Sequence, residues 1–265
     1  MPKIRSASAR NGNGKFHDIC AVKYTSDSEK QARQRLVEML RQAPIPEDQL
    51  LANLGLFIDS KNLSRMLFMD FLFRSIVDVQ GVVMEFGTRW GQNSALFAAL
   101  RGIHDPFNRH RKIIAFDTFT GFPSVSKKDG RSAFMKSRSL AVPSHYEQFL
   151  EEILSLHERL APLSHLKKFE VRKGDAAVEI DRYLQDAPHT IVALAYFDMD
   201  IYEPTKKCLE ALKDRLTRGS ILAFDELNDA DAPGETRALA EVFGLRKVEL
   251  KRFSKTSRAS YFVVR

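Results

Sequence analysis

The chain has 265 residues, 44% of them hydrophobic, and 41 Lys and Arg stand against 34 Asp and Glu for a net charge of +7. That is enough apolar material for one α/β domain with additions, and the charge favours anionic partners or a solvated basic surface. The opening, MPKIRSASARNGNGK, has no apolar core and no later run approaches the roughly 18 apolar residues of a membrane span, so neither a secretory signal nor a span is expected and the cytoplasm is the expected compartment. Cys20 and Cys208 are too few and too distant for a disulfide framework or a zinc site and read as ordinary thiols.

Residues 1–27 mix Gly, Asn, Ser and basic residues without periodicity and are expected to form a flexible arm. Residues 28–80 follow as N-terminal helices, a lid or an oligomer contact. Ser28 and Gln31 are spaced as a capping box for the first, which sets Leu36, Met39 and Leu40 among charges and stops before Pro44. Asp48 to Ile58 predicts a second helix. Leu63 to Val79, LSRMLFMDFLFRSIVDV, predicts a third that is too rich in Leu, Met and Phe for a solvated face and suits core or a subunit contact.

Residues 81–265 read as one domain. In Gly81 to Gln92, GVVMEFGTRWGQ, an apolar strand reaches Glu85, and Gly87 and Gly91 frame a turn before a helix over Asn93 to Leu100. Glycine permits positive φ and close approach of a ligand, and the free N–H groups of the helix start face the same place. The pattern E-x-G-x-x-x-G lacks the third glycine of the dinucleotide fingerprint. It resembles instead the first motif of class I S-adenosylmethionine (SAM) methyltransferases, where the acid and the glycine loop hold the methionine part of SAM. The resemblance makes Glu85, Gly87, Thr88, Gly91 and Ser94 candidates for cofactor contact.

Lys112 to Phe116 is a short strand ending in Asp117, placed to hold a ribose through two hydroxyls or to cap a turn. Thr118 to Pro143 carries DTFTGFP and then Lys127, Lys128, Arg131 and Lys136, a length and composition that suit a lid or binding loop. Ser144 and Glu147 are spaced as a capping box for a helix over Tyr146 to Leu160. Lys168 to Lys173 is the third strand. Asp175 follows it, either accepting from the adenine amino group or capping the helix Ala176 to Leu184. Ile191 to Phe197 is continuously apolar, as for a central parallel strand, and leads into Asp198, Asp200 and a helix from Pro204 to Arg218 that stops at Gly219. Ser220 to Phe224 ends in Asp225 and Glu226. A helix over Pro233 to Phe243 follows, and Lys247 to Lys251 pairs antiparallel with Ser260 to Val264 at the sheet edge. The succession predicts a doubly wound, mostly parallel sheet with an antiparallel edge, and every acid named lies at a strand's carboxyl end, where ligands bind.

Asp198, Asp225 and Glu226 converge if their strands are neighbours, giving hard oxygen donors suited to Mg²⁺, or else two caps and a solvent-facing acid. A dication beside SAM would lower the pKa of a bound hydroxyl, and Asp200 is the candidate general base, with His145 and His189 as substitutes. DMDIYEPT, GSILAFDE, VVMEFGTRWG and FDTFTGFP together resemble the macrocin O-methyltransferase (TylF-like) family of sugar O-methyltransferases from antibiotic biosynthesis, over about Gly81 to Phe243. The resemblance implies a class I SAM-methyltransferase fold and Mg²⁺ held by Asp198, Asp225 and Glu226. It further implies Asp200 as base, two vicinal sugar hydroxyls on the metal, and a homo-oligomer. Two positions depart from the family pattern: Glu226 replaces a second aspartate, and Arg89-Trp90 reverses the usual order.

The resulting expectation is a SAM- and Mg²⁺-dependent methylation of a deoxysugar hydroxyl, on a nucleotide-diphosphate sugar such as a dTDP-hexose or on a glycosylated natural product, with no nucleic acid or membrane partner. The alternatives are a catechol-type methyltransferase, an RNA methyltransferase favoured only by charge, and a SAM-binding module without catalysis.

Overall fold

The computed structural model describes residues 25–132 and 135–265. Cys20 and the expected arm, up to residue 24, lie outside the described residues. The chain divides into two units, one up to Ile58 and one over Asp59–Arg265.

The first unit holds α1 (Asp27–Arg41), α2 (Glu47–Leu50) and a 3-10 segment, Leu51–Phe57, none with a buried residue. The capping box of α1 is Ser26 with Glu29, two residues before the predicted pair: Ser26 Oγ accepts the Glu29 N–H at 3.2 Å and Glu29 Oε2 accepts the Ser26 N–H at 2.9 Å. Both spacings satisfy the rule, and the earlier serine brings a true acid to the third position.

The second unit begins with α3 (Ser60–Ser75), capped by Asp59, which accepts from the Asn62 N–H at 2.8 Å. Phe68, Met69, Leu72 and Phe73 are buried, so the apolar third helix is core. For that reason α3 belongs with the sheet, and the division falls after residue 58 instead of at residue 80. Then come β1 (Val82–Phe86), α4 (Gln92–His104), β2 (Ile113–Asp117), α5 (Tyr146–Arg159), β3 (Phe169–Lys173), α6 (Ala176–Asp186), β4 (Val192–Phe197) and α7 (Tyr202–Leu212). The unit closes with β5 (Leu216–Phe224), α8 (Gly234–Val242), β6 (Lys251–Arg252) and β7 (Ser260–Val263).

The sheet order is β3-β2-β1-β4-β5-β7-β6, with β3 to β5 parallel and β7 antiparallel to both its neighbours. The expected doubly wound sheet is present, and its order reverses between β1 and β4, where ligands of such sheets bind. Both faces are covered. One core packs Met84, Phe86, Phe116, Phe197 and Phe224 with residues of α6, α7 and α8. The other packs Val83, Leu194, Tyr196 and Ile221 with α3, α4 and α5.

Three local predictions are corrected. The residue before α5 is His145, in the left-handed region at φ 65°, with no side-chain cap from Ser144. Helix α7 starts at Tyr202, so Pro204 is its third residue and not its first; the whole first turn lacks intrahelical N–H partners, so proline is tolerated there too. Gly219 does not stop a helix. It lies inside β5 at φ 93°, where the pairing with β4 shifts register, and glycine's freedom accommodates that bulge.

A row of phenylalanines fixes the strand register. Phe116, Phe86, Phe197 and Phe224 are directly paired across β2, β1, β4 and β5, and their rings stack at centroid distances of 4.8, 4.9 and 5.1 Å. The residues that follow, Asp117, Gly87, Asp198 and Asp225, therefore emerge at one level of the sheet. At the opposite end a buried ionic group ties the strand starts: Glu158 is shared by Arg101 and Lys168, and Arg111 donates to the Gly81 carbonyl at 2.7 Å. Phe197→Ala should lower unfolding free energy by about 3–5 kcal/mol, the usual range for emptying a core aromatic site, as read by urea unfolding.

Candidate active site

At the tip of β1, Glu85 is 1% exposed, and its carboxylate is closed off by α4: Asn93 Nδ2 donates at 2.9 Å and Ser94 Oγ donates to the other oxygen. Burial is the largest influence and pushes Glu85 up to about 7. Gly87 has φ 89°, and a Cβ there would stand 2.0 Å from the Asp198 carbonyl oxygen, so β1 and β4 meet without room for a side chain. Gly91 caps α4 in the left-handed region, and a Cβ on it would strike Leu150 of α5 at 2.1 Å. Thr88, 4% exposed, donates to the Phe116 carbonyl at 3.4 Å through its hydroxyl. Gly87 and Thr88 thus set the turn against the tip of β2, while Gly91 and Ser94 fit the start of α4 to α5 and to Glu85.

Asp117 binds that turn from the neighbouring strand. One carboxylate oxygen accepts the Arg89 N–H at 2.7 Å and the other the Phe119 N–H. A carboxylate offers about four lone-pair sites, so both oxygens keep capacity for ribose hydroxyls. Burial outweighs these bonds and raises its pKa. Asp175 accepts the Ala177 N–H at 3.0 Å and caps α6, the second of the two roles its position allowed. In the reversed dipeptide, Trp90 stands edge-on to Tyr146 at 5.0 Å, and Arg89 lies 5.8 Å from the Trp90 ring centre.

Across the switch point, the tips of β4 and β5 present Asp198, Asp225 and Glu226. Two arginines meet them. Arg65 of α3 donates through Nη2 to Asp198 and sets Nη1 3.6 Å from Asp225. Arg258 stands 2.6 Å from Glu226 and 3.6 Å from Asp225. Tyr196 donates to Asp225 at 2.8 Å. Burial first, then the charge of Asp225, pushes Asp198 up to about 6, and burial pushes Glu226 up to about 7.

The donor chemistry suits a hard dication, because carboxylates from adjacent strand tips already share one positive charge. As arranged, that charge is the guanidinium of Arg65, and among the described residues no group of three His, Cys, Asp or Glu side chains is disposed to hold a metal ion.

Asp200 sits on the turn between β4 and α7 with φ 62° and 5% exposure. Left-handed backbone at a residue other than glycine is sustained only where the surroundings fix it, and such positions gather at working sites. Three groups fix it here. Glu235, fully buried, accepts the Met199 N–H at 2.9 Å and the Asp200 N–H at 3.3 Å. Burial holds its carboxyl well above the usual carboxylate range. Gly234 lies against the same backbone, where a Cβ would be 2.5 Å from the Asp200 carbonyl oxygen, and Asp129 of the long loop accepts the Tyr202 N–H. His189 precedes β4, at the far end of the sheet from Asp200, and His145 is exposed before α5.

Residue types alone did not disclose Arg65, Asn93, Tyr196, Glu235 or Arg258. One signal was available for Glu235, an acid directly after a helix-opening Pro-Gly, yet its partner lies 35 residues away. Lys127, Lys128, Arg131 and Lys136 of the basic loop are all exposed, and Lys128 is engaged with Glu241 at 3.1 Å and the Tyr202 ring at 3.8 Å. Cys208 is a buried free thiol in α7, and no helix among the described residues is long and apolar enough to cross a membrane.

Comparison with known proteins gives a consistent picture. No family model matches the chain, and neither does any curated protein. The calicheamicin methyltransferase CalS11 is 40% identical, covering 96% of this chain and 99% of its own, with a TM-score of 0.89. The apo structure of CalS11, described as a TDP-rhamnose 3'-O-methyltransferase of calicheamicin biosynthesis, gives 39% identity, coverage of 93% and 98%, and a TM-score of 0.81. The O-methyltransferase NovP, 17% identical over 89% of this chain with a TM-score of 0.57, shares the fold. The sheet is that of class I SAM-dependent methyltransferases.

The burial of Glu85 has a thermodynamic signature. A carboxyl whose folded pKa lies near 7, above its unfolded value of about 4.5, contributes stability that is complete below pH 4.5 and lost as pH rises through 7, of order 3 kcal/mol. Glu85→Gln, which cannot titrate, should therefore narrow the difference in melting temperature between pH 5 and pH 8 by several degrees in differential scanning calorimetry.

Proposed function

The chain belongs to the macrocin O-methyltransferase (TylF-like) family of SAM-dependent sugar O-methyltransferases, and from that premise we propose that it methylates a hydroxyl of a nucleoside-diphosphate deoxysugar, with Mg²⁺ as a second cofactor. The observation that carries the reading is the shared level of the Gly87 turn, Asp198 and Asp225 at the switch point, with Asp200 held beside them. A TDP-linked rhamnose is the acceptor of CalS11, and a close relative of that sugar is the acceptor proposed for this chain. The exposed Lys127, Arg131 and Lys136 of the long loop suit a diphosphate, whose oxygens pair with cationic side chains.

SAM is held by the Glu85-to-Ser94 turn, which presents the N-terminus of α4, and its ribose by Asp117. Asp175 is proposed as a contact to the adenine amino group in addition to its cap. Asp198, Asp225 and Glu226 would hold Mg²⁺, which when bound acidifies a coordinated hydroxyl. The residues of the chain supply the rest. Asp200, fixed by Glu235 and Gly234, takes the hydroxyl proton. The sugar oxygen attacks the sulfonium methyl, the new C–O bond forms as the S–CH₃ bond breaks, and S-adenosylhomocysteine leaves. The sulfonium is already electrophilic, so positioning of the oxygen and acceptance of its proton carry the catalysis. Exposed Ile103, Phe107 and Leu160, near the carboxyl ends of α4 and α5, support self-association as part of the same reading.

Labelled SAM incubated with TDP-sugars and with simple glycosides tests the proposal. Label should pass to a TDP-deoxysugar bearing vicinal hydroxyls and should cease on addition of EDTA, while transfer to phenols without transfer to sugars would establish the catechol-type alternative. Asp200→Asn should lower kcat by about 10²–10⁴-fold, the span of general base catalysis, with the SAM dissociation constant changed by less than about twofold.

A further inference from the structure

The Mg²⁺ reading meets one obstacle, Arg65. Its guanidinium lies between Asp198 and Asp225, one Nη group toward each, in the space where the two carboxylates face a common cation. It is also held from the cofactor side: Nε donates to Asn93 Oδ1 at 3.2 Å, and Asn93 in turn donates to Glu85. Guanidinium does not lose its proton in proteins, so Arg65 cannot make way for a second cation by becoming neutral. A dication placed on Asp198 and Asp225 would stand within a few ångströms of that charge, and like charges at such range in a partly buried site repel strongly. The side chain is also 33% exposed and has a long flexible stem, so it has somewhere to go.

We infer that Arg65 is the resident counter-ion of the carboxylate pair and that a divalent cation and the Arg65 guanidinium are alternative occupants of one place, so that Arg65 sets the affinity for the metal by competing with it. The inference rests on the Mg²⁺ reading and adds a named competitor to it. In the metal-free protein Arg65 places a positive charge between two partly exposed carboxylates, Asp198 and Asp225. Its route through Asn93 to Glu85 links the same side chain to the turn proposed for SAM, so displacement of Arg65 and occupancy of that turn involve one hydrogen-bonded chain. A residue with a purely structural role would lose metal affinity on replacement, because the site would loosen. A competitor would raise it.

The test is Mn²⁺ binding to the full chain without SAM or sugar, read by loss of the free-ion electron paramagnetic resonance signal. Arg65→Gln should bind Mn²⁺ at least tenfold more tightly than wild type, and Mn²⁺ should raise its melting temperature more. Arg65→Lys keeps a charge but cannot direct two nitrogens to two carboxylates, and it should bind at least threefold more tightly than wild type. If Arg65→Gln fails to fold, the lysine variant alone decides. Equal or weaker Mn²⁺ binding by the variants overturns the competition while leaving the metal reading intact. An absence of Mn²⁺ binding by wild type and variants alike overturns both.

Discussion

The in-register stacking of Phe116, Phe86, Phe197 and Phe224 is the constraint on which the site depends. Four rings on adjacent strands, each within about 5 Å of the next, disfavour any slip, because a shift of one residue would turn a phenylalanine to the opposite face and bring its successor into the core. The successors are Asp117, Asp198 and Asp225, for which an apolar layer is the least suitable place. Core packing and the location of charge thus enforce the same alignment. Gly87 completes the row because nothing larger fits against the Asp198 backbone.

Above this layer the protein gathers several carboxyl groups in little water and satisfies each in a different way. Glu85 is closed off by Asn93 and Ser94, Asp117 by backbone N–H groups, Asp198 and Asp225 by Arg65, and Glu226 by Arg258. Glu235 accepts the backbone N–H groups of Met199 and Asp200 beneath that turn. These are different answers to one problem, the penalty for burying ionised oxygen. They also differ in place: Glu85 is tied to the start of α4 through Asn93 and Ser94, Glu235 holds the Met199–Asp200 backbone, and Asp198 and Asp225 stand at their strand tips against Arg65.

Much of the architecture was legible from residue order. Alternating strand and helix patterns, acids at the carboxyl ends of strands and the E-x-G-x-x-x-G turn were enough for a doubly wound sheet of the SAM-dependent methyltransferase kind, since each depends on neighbours within a few residues. Local boundaries were read less well. The bulge at Gly219 depends on how β5 lies along β4, and the start of α7 on Asp129, which accepts the Tyr202 N–H; glycine or proline signals the same punctuation for either outcome. Ser26 and Ser28 both satisfied a capping pattern, and Ser26 with Glu29 is the pair that forms.

The sequence by itself determined the kinds of element, the strand ends that carry acids, and the family resemblance, because periodicity and turn chemistry act over short distances along the chain. Only the tertiary structure decided that Arg65 would meet Asp198 from 133 residues away, that Arg258 would take Glu226, and that Glu235 would hold the Asp200 turn. Those pairings follow from strand order and helix placement, and two side chains distant in sequence leave no local pattern that announces their contact.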